Sequence, residues 1–551
     1  MILQNRASWW RGLGWFGRLF QPNPEAVTNL TFVEQKQLNQ TIMDIFVKHR
    51  TRRRIVPDAD GELRISMLLS EQEKFDIQED IDRVSSQGYH TQQGEFDSCR
   101  GIFWNQILIR IPGVCSDSTS VSTSVSATTS VSATTSTTTS DREPESDTDT
   151  DQSRHPVQVQ VQDQVQSQMD KVIHHVAPYV PKMKAEGRTH RTVLIVPNAI
   201  CLGTNSNSNI NSNSNSNIKS DSDSNINKYD ITLTTHMGAG KYQRFLVLLQ
   251  RWNGPISIAV KFTTLDEIQS FHTFVLDHLL PYFSNKEGNE HQHQHQHQHP
   301  VSFHYYMEHA PEYANAYPQN ILRNIAMTYI STEYFLVNDV DIFPSPMDTH
   351  DKLRAAIASQ PDIQHGLSTD TVYVIPMFDF HEMVPESELT YDYSSFPNSK
   401  EDVIRMNATG LISQHLLKQY PQGHRAVNYE RWFGNDTEAS YGIAHEHRFE
   451  PYVIGSRNMR KEVPLFYPYF RGFGFDKYSW YDELAWSGIK LRVMRDFYLF
   501  HAKHESSYPN RQELLDVNRE CAQGFMRDVL GRYGLQEGDP LWNEWFKEIY
   551  L

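Results

Sequence analysis

Residues 317–346 read YPQNILRNIAMTYISTEYFLVNDVDIFPSP. The first half predicts a helix, with Ile321, Leu322, Ile325, Ala326 and Tyr329 on one apolar stripe. The second half predicts a short buried strand, Tyr334, Phe335, Leu336 and Val337. It runs into Asn338-Asp339-Val340-Asp341, and Pro344 and Pro346 then stop it. Carboxylates two positions apart on extended backbone point to the same side. At the end of a buried strand Asp339 and Asp341 would sit together on the rim of a sheet. Two hard oxygen ligands there suit a divalent cation that also holds a diphosphate. An acidic pair after a strand is commonly just solvated, so the flanking helix, strand and prolines narrow the reading. Arg323 and Asn324 fall off the apolar stripe. Arg323 suits a phosphate or a carboxylate, or a surface salt bridge.

Outward from this stretch the pattern is α/β. Residues 190–197, 230–235, 255–260 and 371–375 read as strands, and residues 242–252 and 265–279 as helices. Strands alternating with helices predict a mostly parallel central sheet covered on both faces. Three stretches interrupt it. Residues 116–170 pass from Ser/Thr/Val repeats through an acidic run to VQVQVQDQVQSQ, and are expected to form a disordered linker. Residues 205–225 are an Asn/Ser repeat, expected as a surface loop. Residues 291–299 alternate His and Gln, and read as an incidental repeat rather than a metal site. The expected organisation is an N-terminal extension at 1–115, the linker, and a folded domain at 171–551.

The chain of 551 residues carries 51 Lys+Arg against 67 Asp+Glu, a net charge of −16. That balance argues against nucleic acid or an anionic membrane as the general partner. No run approaches the ~20 apolar residues of a membrane span. The aromatic N-terminus is broken by Arg6, Arg11 and Arg18 and makes a poor signal peptide. No membrane anchor is evident. Sequons at Asn29, Asn39, Asn407 and Asn435 weakly favour a secretory lumen. Cys99 and Cys115 bracket a short segment and would pair in an oxidising compartment; buried free thiols are the alternative.

Two later stretches carry further candidates. In residues 497–507, FYLFHAKHESS, His501 ends an apolar strand-like run. Its imidazole suits a Mn²⁺ already held by carboxylates, though a histidine there is more often structural. Lys503 beside it could face a diphosphate. In residues 471–484, RGFGFDKYSWYDEL, the glycines permit a tight loop near a ligand. Asp476, Asp482 and Glu483 lie on that loop or on the helix it enters, where acids are usually solvated. Transfer to a hydroxyl needs one such carboxylate as a base.

Together these segments resemble glycosyltransferase family 49, the group of the LARGE-type glucuronyltransferase domain and a β-1,4-glucuronyltransferase. The resemblance covers about residues 230–533. It rests on ITLTTHMGAGKYQRFLVLLQRWNGPISIAV, the stretch quoted above, TVYVIPMFDF with Asp379 at an acidic position, GFGFDKYSWYDEL and FYLFHAKHESS, in that order. It implies a GT-A-type, Rossmann-like fold, UDP-sugar donors, Mn²⁺ and inversion at the anomeric carbon. It implies Asp339, Asp341 and His501 as metal ligands, with Arg323, Asn324, Asp339 and Lys503 around the donor. Glu483 stands at the family's E-L position as the base, with Asp476 as runner-up. It favours a uronic acid donor, for which Arg323, Lys477 and Lys503 are candidate partners, a glycan or glycoprotein acceptor, and the Golgi or secretory lumen. The rivals are a non-catalytic glycan-binding protein on the same fold and a nucleotide-sugar hydrolase.

Overall fold

The computed structural model describes residues 156–181, 192–203, 227–283, 297, 299–309, 316–380, 396–501, 511–534 and 540–550, with short strand segments at 21–22, 91–92 and 107–110. The expected α/β alternation is present. A ten-stranded mixed sheet runs Ser440–Ile443, Lys490–Met494, Thr371–Ile375, Tyr452–Ser456, Tyr334–Val337, Ile231–Gly238, Ile256–Phe262, Val301–His309, Thr192–Leu202 and Ile107–Arg110. The four strands Tyr334–Val337, Ile231–Gly238, Ile256–Phe262 and Val301–His309 pair in parallel. They are buried along most of their length because helices cover them, as parallel sheets require.

A second sheet was not anticipated. Its four strands run Ile412–Gln414, Met377–Phe380, Tyr498–His501 and Ile342–Ser345. Three strands of the main sheet feed it after a few residues each. Tyr334–Val337 leads to Ile342–Ser345, Thr371–Ile375 to Met377–Phe380, and Lys490–Met494 to Tyr498–His501. Asp339 and Asp341 therefore lie in a crossing between two sheets, at the carboxyl end of a parallel strand. That is where open α/β sheets bind ligands.

The linker expectation needs correcting. Residues Pro156–Val176 are helical. Val165, Met169, Val172 and Val176 fall four, three and four apart and are all buried, the spacing of one helix face. Burying each contributes ~1.5–3 kcal/mol, which offsets ordering the glutamines between them. The helix also caps the main sheet's edge region: Gln168 Oε1 accepts from the backbone of Cys201 at 3.1 Å. The remainder of 116–155, and the Asn/Ser insert at 205–225, lie outside the described residues. The His/Gln insert is not wholly incidental. His297 is buried, with Nδ1 2.9 Å from the carbonyl of His299 and Nε2 3.0 Å from that of Trp252. Burial lowers its pKa to about 4, so a neutral ring donates to one of the two. The N-terminal extension contributes at least backbone, since Ile107–Arg110 pairs in parallel with Thr192–Leu202. Cys201 and Cys521 are buried, and each takes part in a disulfide; the expected Cys99–Cys115 pair lies outside the described residues.

A second core joins the glycine loop to the C-terminus. Tyr467, Phe470, Phe475 and Tyr478 pack with Phe525, Val529 and Trp545 from helices Arg511–Tyr533 and Pro540–Tyr550. Gly472 and Gly474 adopt φ of 65° and 84°. A Cβ would meet Leu514 at 2.8 Å and Leu515 at 2.4 Å respectively, so conformation and space both require glycine. The last helix is also clasped by charge. His447 places Nδ1 2.8 Å from Asp482 and Nε2 2.8 Å from Glu548. Burial disfavours its charge, but the hydrogen bonds to Asp482 and Glu548 win and raise its pKa to about 9. A raised histidine contributes below its unfolded pKa of about 6.5 and loses that contribution as pH climbs through 9. Stability is therefore expected to fall between pH 7 and 9.5 by as much as about 3 kcal/mol, and the melting temperature with it. In His447→Gln the fall should be flattened, which thermal melts across that range check directly.

Candidate functional site

The helix Gln319–Thr328 positions the site. Its apolar stripe packs on the sheet as expected: Leu322, Ile325 and Ala326 are buried. Its polar face is buried as well, which the sequence did not reveal. Gln319 Nε2 donates to the Gly472 carbonyl (2.8 Å) and Asn320 Nδ2 to those of Tyr467 and Asp476 (both 2.9 Å). Asn324 donates to the Phe466 carbonyl at 2.7 Å and accepts from the Phe466 N–H at 2.8 Å. Those amides hold the 466–476 segment against the helix. Asn324, expected as a donor contact, is fully buried and committed to that task.

Asp339 is a hub. Arg323 Nη2 donates to its Oδ1 at 3.0 Å, and His236 Nε2 lies 3.2 Å from the same oxygen. On Oδ2 it accepts from Tyr452 Oη at 2.7 Å and Lys477 Nζ at 3.1 Å. Burial alone would raise this carboxyl. The Arg323 guanidinium, the Lys477 ammonium and His236 overcome that and hold it well below the usual carboxylate range. Arg323 Nη1 also donates to Asp476 at 2.9 Å, so the expected donor contact Arg323 and the runner-up base Asp476 are tied into one network. Asp341 stands apart from it, partly exposed, 3.4 Å from Arg244 Nη1.

His501 lies in the second sheet. Its registered neighbours are Asp379 on one side and Ile342, next to Asp341, on the other. Its Nδ1 lies 3.0 Å from Asp379 Oδ1, and His415 Nδ1 lies 2.6 Å from the same atom. Asp379 Oδ2 accepts from the backbone of Leu416 at 3.2 Å. Burial raises the Asp379 carboxyl, but the bonds from His415 and His501 outweigh it and leave it ionised below the ordinary range. Burial lowers His415 and, more strongly, His424, whose ring centre is 4.7 Å from that of His415. Asp379, His415 and His501 have ligand-capable atoms within 4.8 Å of one another, the one such group among the described residues. Asp339, Asp341 and His501 thus do not form a group that close. His415 was missed because nothing in its local sequence marks it; a strand pairing brings it in.

The expected base Glu483 does not face an open site. It is 2% exposed, ion-paired with Arg532, and accepts from Tyr533 Oη at 3.2 Å. Its carboxylate docks the Arg511–Tyr533 helix. Lys503 lies outside the described residues. Lys477 bonds Asp339 and Tyr452 Oη.

The site thus sets one clamped aspartate, one partly exposed aspartate and a His/Asp cluster at the strand ends of an α/β sheet. Just over half of the chain, residues 230–534, matches the family model described as a glycosyl-transferase for dystroglycan, and the chain belongs to that family. It is 28% identical over 311 residues to mouse xylosyl- and glucuronyltransferase LARGE2, covering 56% of this chain and 40% of that one. It is 26% identical over 311 residues to human xylosyl- and glucuronyltransferase LARGE1, covering 55% and 36%. The chain thus spans well under half the length of these relatives. A solved structure of S. aureus TarS with UDP-GlcNAc overlaps 58% of this chain and 73% of its own, at 14% identity and a TM-score of 0.29. No helix among the described residues is long and apolar enough to cross a membrane.

Proposed function

We propose that this chain is a divalent-cation-dependent, inverting glycosyltransferase that moves a sugar from a UDP-sugar to a glycan hydroxyl, with Mn²⁺ as the cation and glucuronic acid as the favoured sugar. The observation that carries it is the second sheet. It sets Asp379, His501 and the Asp341–Ile342 step side by side at the end of the parallel strands. Carboxylate oxygens beside imidazole nitrogens fit Mn²⁺. His501 and Asp341 would hold the cation. Asp379 would fix the His501 ring, since an imidazole that donates Nδ1–H to a carboxylate is oriented to offer its other nitrogen. Bound there, the cation supplies charge neutralisation to the departing diphosphate. Asp339, already engaged by Arg323, Lys477, His236 and Tyr452, would hold the Asn338–Asp341 crossing in shape. The buried disulfide cysteines, the sequons and the family support a secretory lumen such as the Golgi.

A donor panel with UDP-glucuronate, UDP-xylose, UDP-glucose, UDP-galactose and UDP-N-acetylglucosamine, assayed with Mn²⁺ and p-nitrophenyl glycoside acceptors, tests the reading. One donor should give an acceptor-linked product of inverted anomeric configuration by NMR; retained configuration would reject the mechanism. The ligand assignment has its own check. Mn²⁺ titration by calorimetry should show Asp379→Ala weakened about 10- to 100-fold, the range for a group that orients a ligand. A loss as large as that of Asp341→Ala would make Asp379 a ligand, with His415 and His501 as its partners.

A further inference from the structure

The carboxylates around the crossing each have a side-chain partner, with one exception. Asp339 has Arg323, Lys477, His236 and Tyr452, and Asp476 has Arg323. Asp379 has two histidines, Asp341 has Arg244, and Glu483 has Arg532. Asp482 and Glu548 share His447. The Glu450 carboxylate has no hydrogen bond or ion pair among the described residues, yet Lys477, Asp476, Arg323 and Asp339 are the charges that act on it.

The backbone explains how it is placed. The Glu450 N–H donates to the Gly423 carbonyl at 3.0 Å, beside His424, whose ring abuts His415. Two residues on, Tyr452 starts a strand of the main sheet and reaches Asp339 with its hydroxyl. Pro451 between them is pinned by the Tyr481 hydroxyl on its carbonyl. Glu450 is thus fixed on both sides, between the Asp339 hub and the His/Asp cluster, and keeps part of its surface open. A rigid backbone, a half-buried side chain and a carboxylate without an ion-pair partner suit a general base.

Resting on the glycosyltransferase reading above, we propose that Glu450 is the general base that takes the proton from the acceptor hydroxyl. The acceptor oxygen forms its bond to the anomeric carbon as its proton passes to Glu450. The bond from that carbon to the β-phosphate oxygen breaks, and its electron pair leaves with UDP. Consistent with the role, burial raises the Glu450 carboxyl to about 7, with Asp476 and Asp339 adding to this and Lys477 and Arg323 opposing it. A base titrating near working pH transfers protons most effectively.

The test compares wild-type chain, Glu450→Gln and Glu450→Ala, using the donor and p-nitrophenyl glycoside that give acceptor-stimulated UDP release with wild type. Glu450→Gln should lower kcat by about 10²- to 10⁴-fold, the usual contribution of a positioned base. UDP affinity by calorimetry with Mn²⁺ should stay within about threefold, and the melting curve should be unchanged. Azide carries no proton to remove, so Glu450→Ala should form glycosyl azide from the donor at a rate close to wild type's. A kcat within about threefold of wild type, UDP binding lost along with kcat, or no azide product would each overturn the assignment. A wild-type chain without acceptor-stimulated release from any pair would overturn the transferase reading and this base with it.

Discussion

Asp341→Ala is expected to lower sugar transfer at least about 10³-fold while leaving the fold intact. Removing one preorganised charge partner from a developing anion commonly costs 10²- to 10³-fold, and loss of a cation ligand also weakens cation binding itself. The structural cost is small because the carboxylate is partly exposed and its ion pair with Arg244 is long at 3.4 Å. Asp341→Asn should be nearly as inactive, since the amide keeps the shape and loses the charge. Transfer at saturating Mn²⁺ and a thermal melt, run on the same preparations, give both readings. Wild-type transfer by Asp341→Ala would remove Asp341 from the site.

Asp339→Ala should behave in the opposite way, as a stability mutant first. It would leave the Lys477 ammonium without its carboxylate and the Arg323 guanidinium, buried to 5% exposure, with Asp476 in place of two carboxylates. It would also leave the Tyr452 hydroxyl without its acceptor at 2.7 Å. Removing one partner of a buried ion pair costs about 3–5 kcal/mol because the other charge stays buried. A drop of several degrees in melting temperature is therefore expected, together with loss of transfer. A melt as high as wild type's would show that the hub does not hold the crossing together.

The contrast between the two aspartates shows where the sequence stops being informative. Spacing two apart after an apolar strand was enough to mark both as important, because alternation on extended backbone is local. It could not tell a clamped carboxylate from an available one. The difference comes from Arg323, Lys477, His236 and Tyr452, which reach Asp339 from four separate elements. The main sheet was legible for the same local reason. Residues 371–375 read as a strand and are one of its strands. The second sheet was not, because its strands are three or four residues long and continue from strands of the main sheet without a turn signal. With it went Asp379's pairing to His501, and His415 altogether. The helix Pro156–Val176 was read as linker because its composition is polar, although its four buried apolar side chains keep helical spacing. Glu483 was chosen by motif position. The C-terminal helix that consumes its charge is far along the chain, and no pattern around residue 483 announces it.

UDP release by the wild-type chain, measured with and without acceptor, in Mn²⁺ and after chelation, bears most directly on the central claim. Release should be stimulated by acceptor, abolished by the chelator and restored by added Mn²⁺. Release independent of acceptor would make the chain a nucleotide-sugar hydrolase, and no release with any donor of the panel would leave it a glycan-binding protein on a transferase fold.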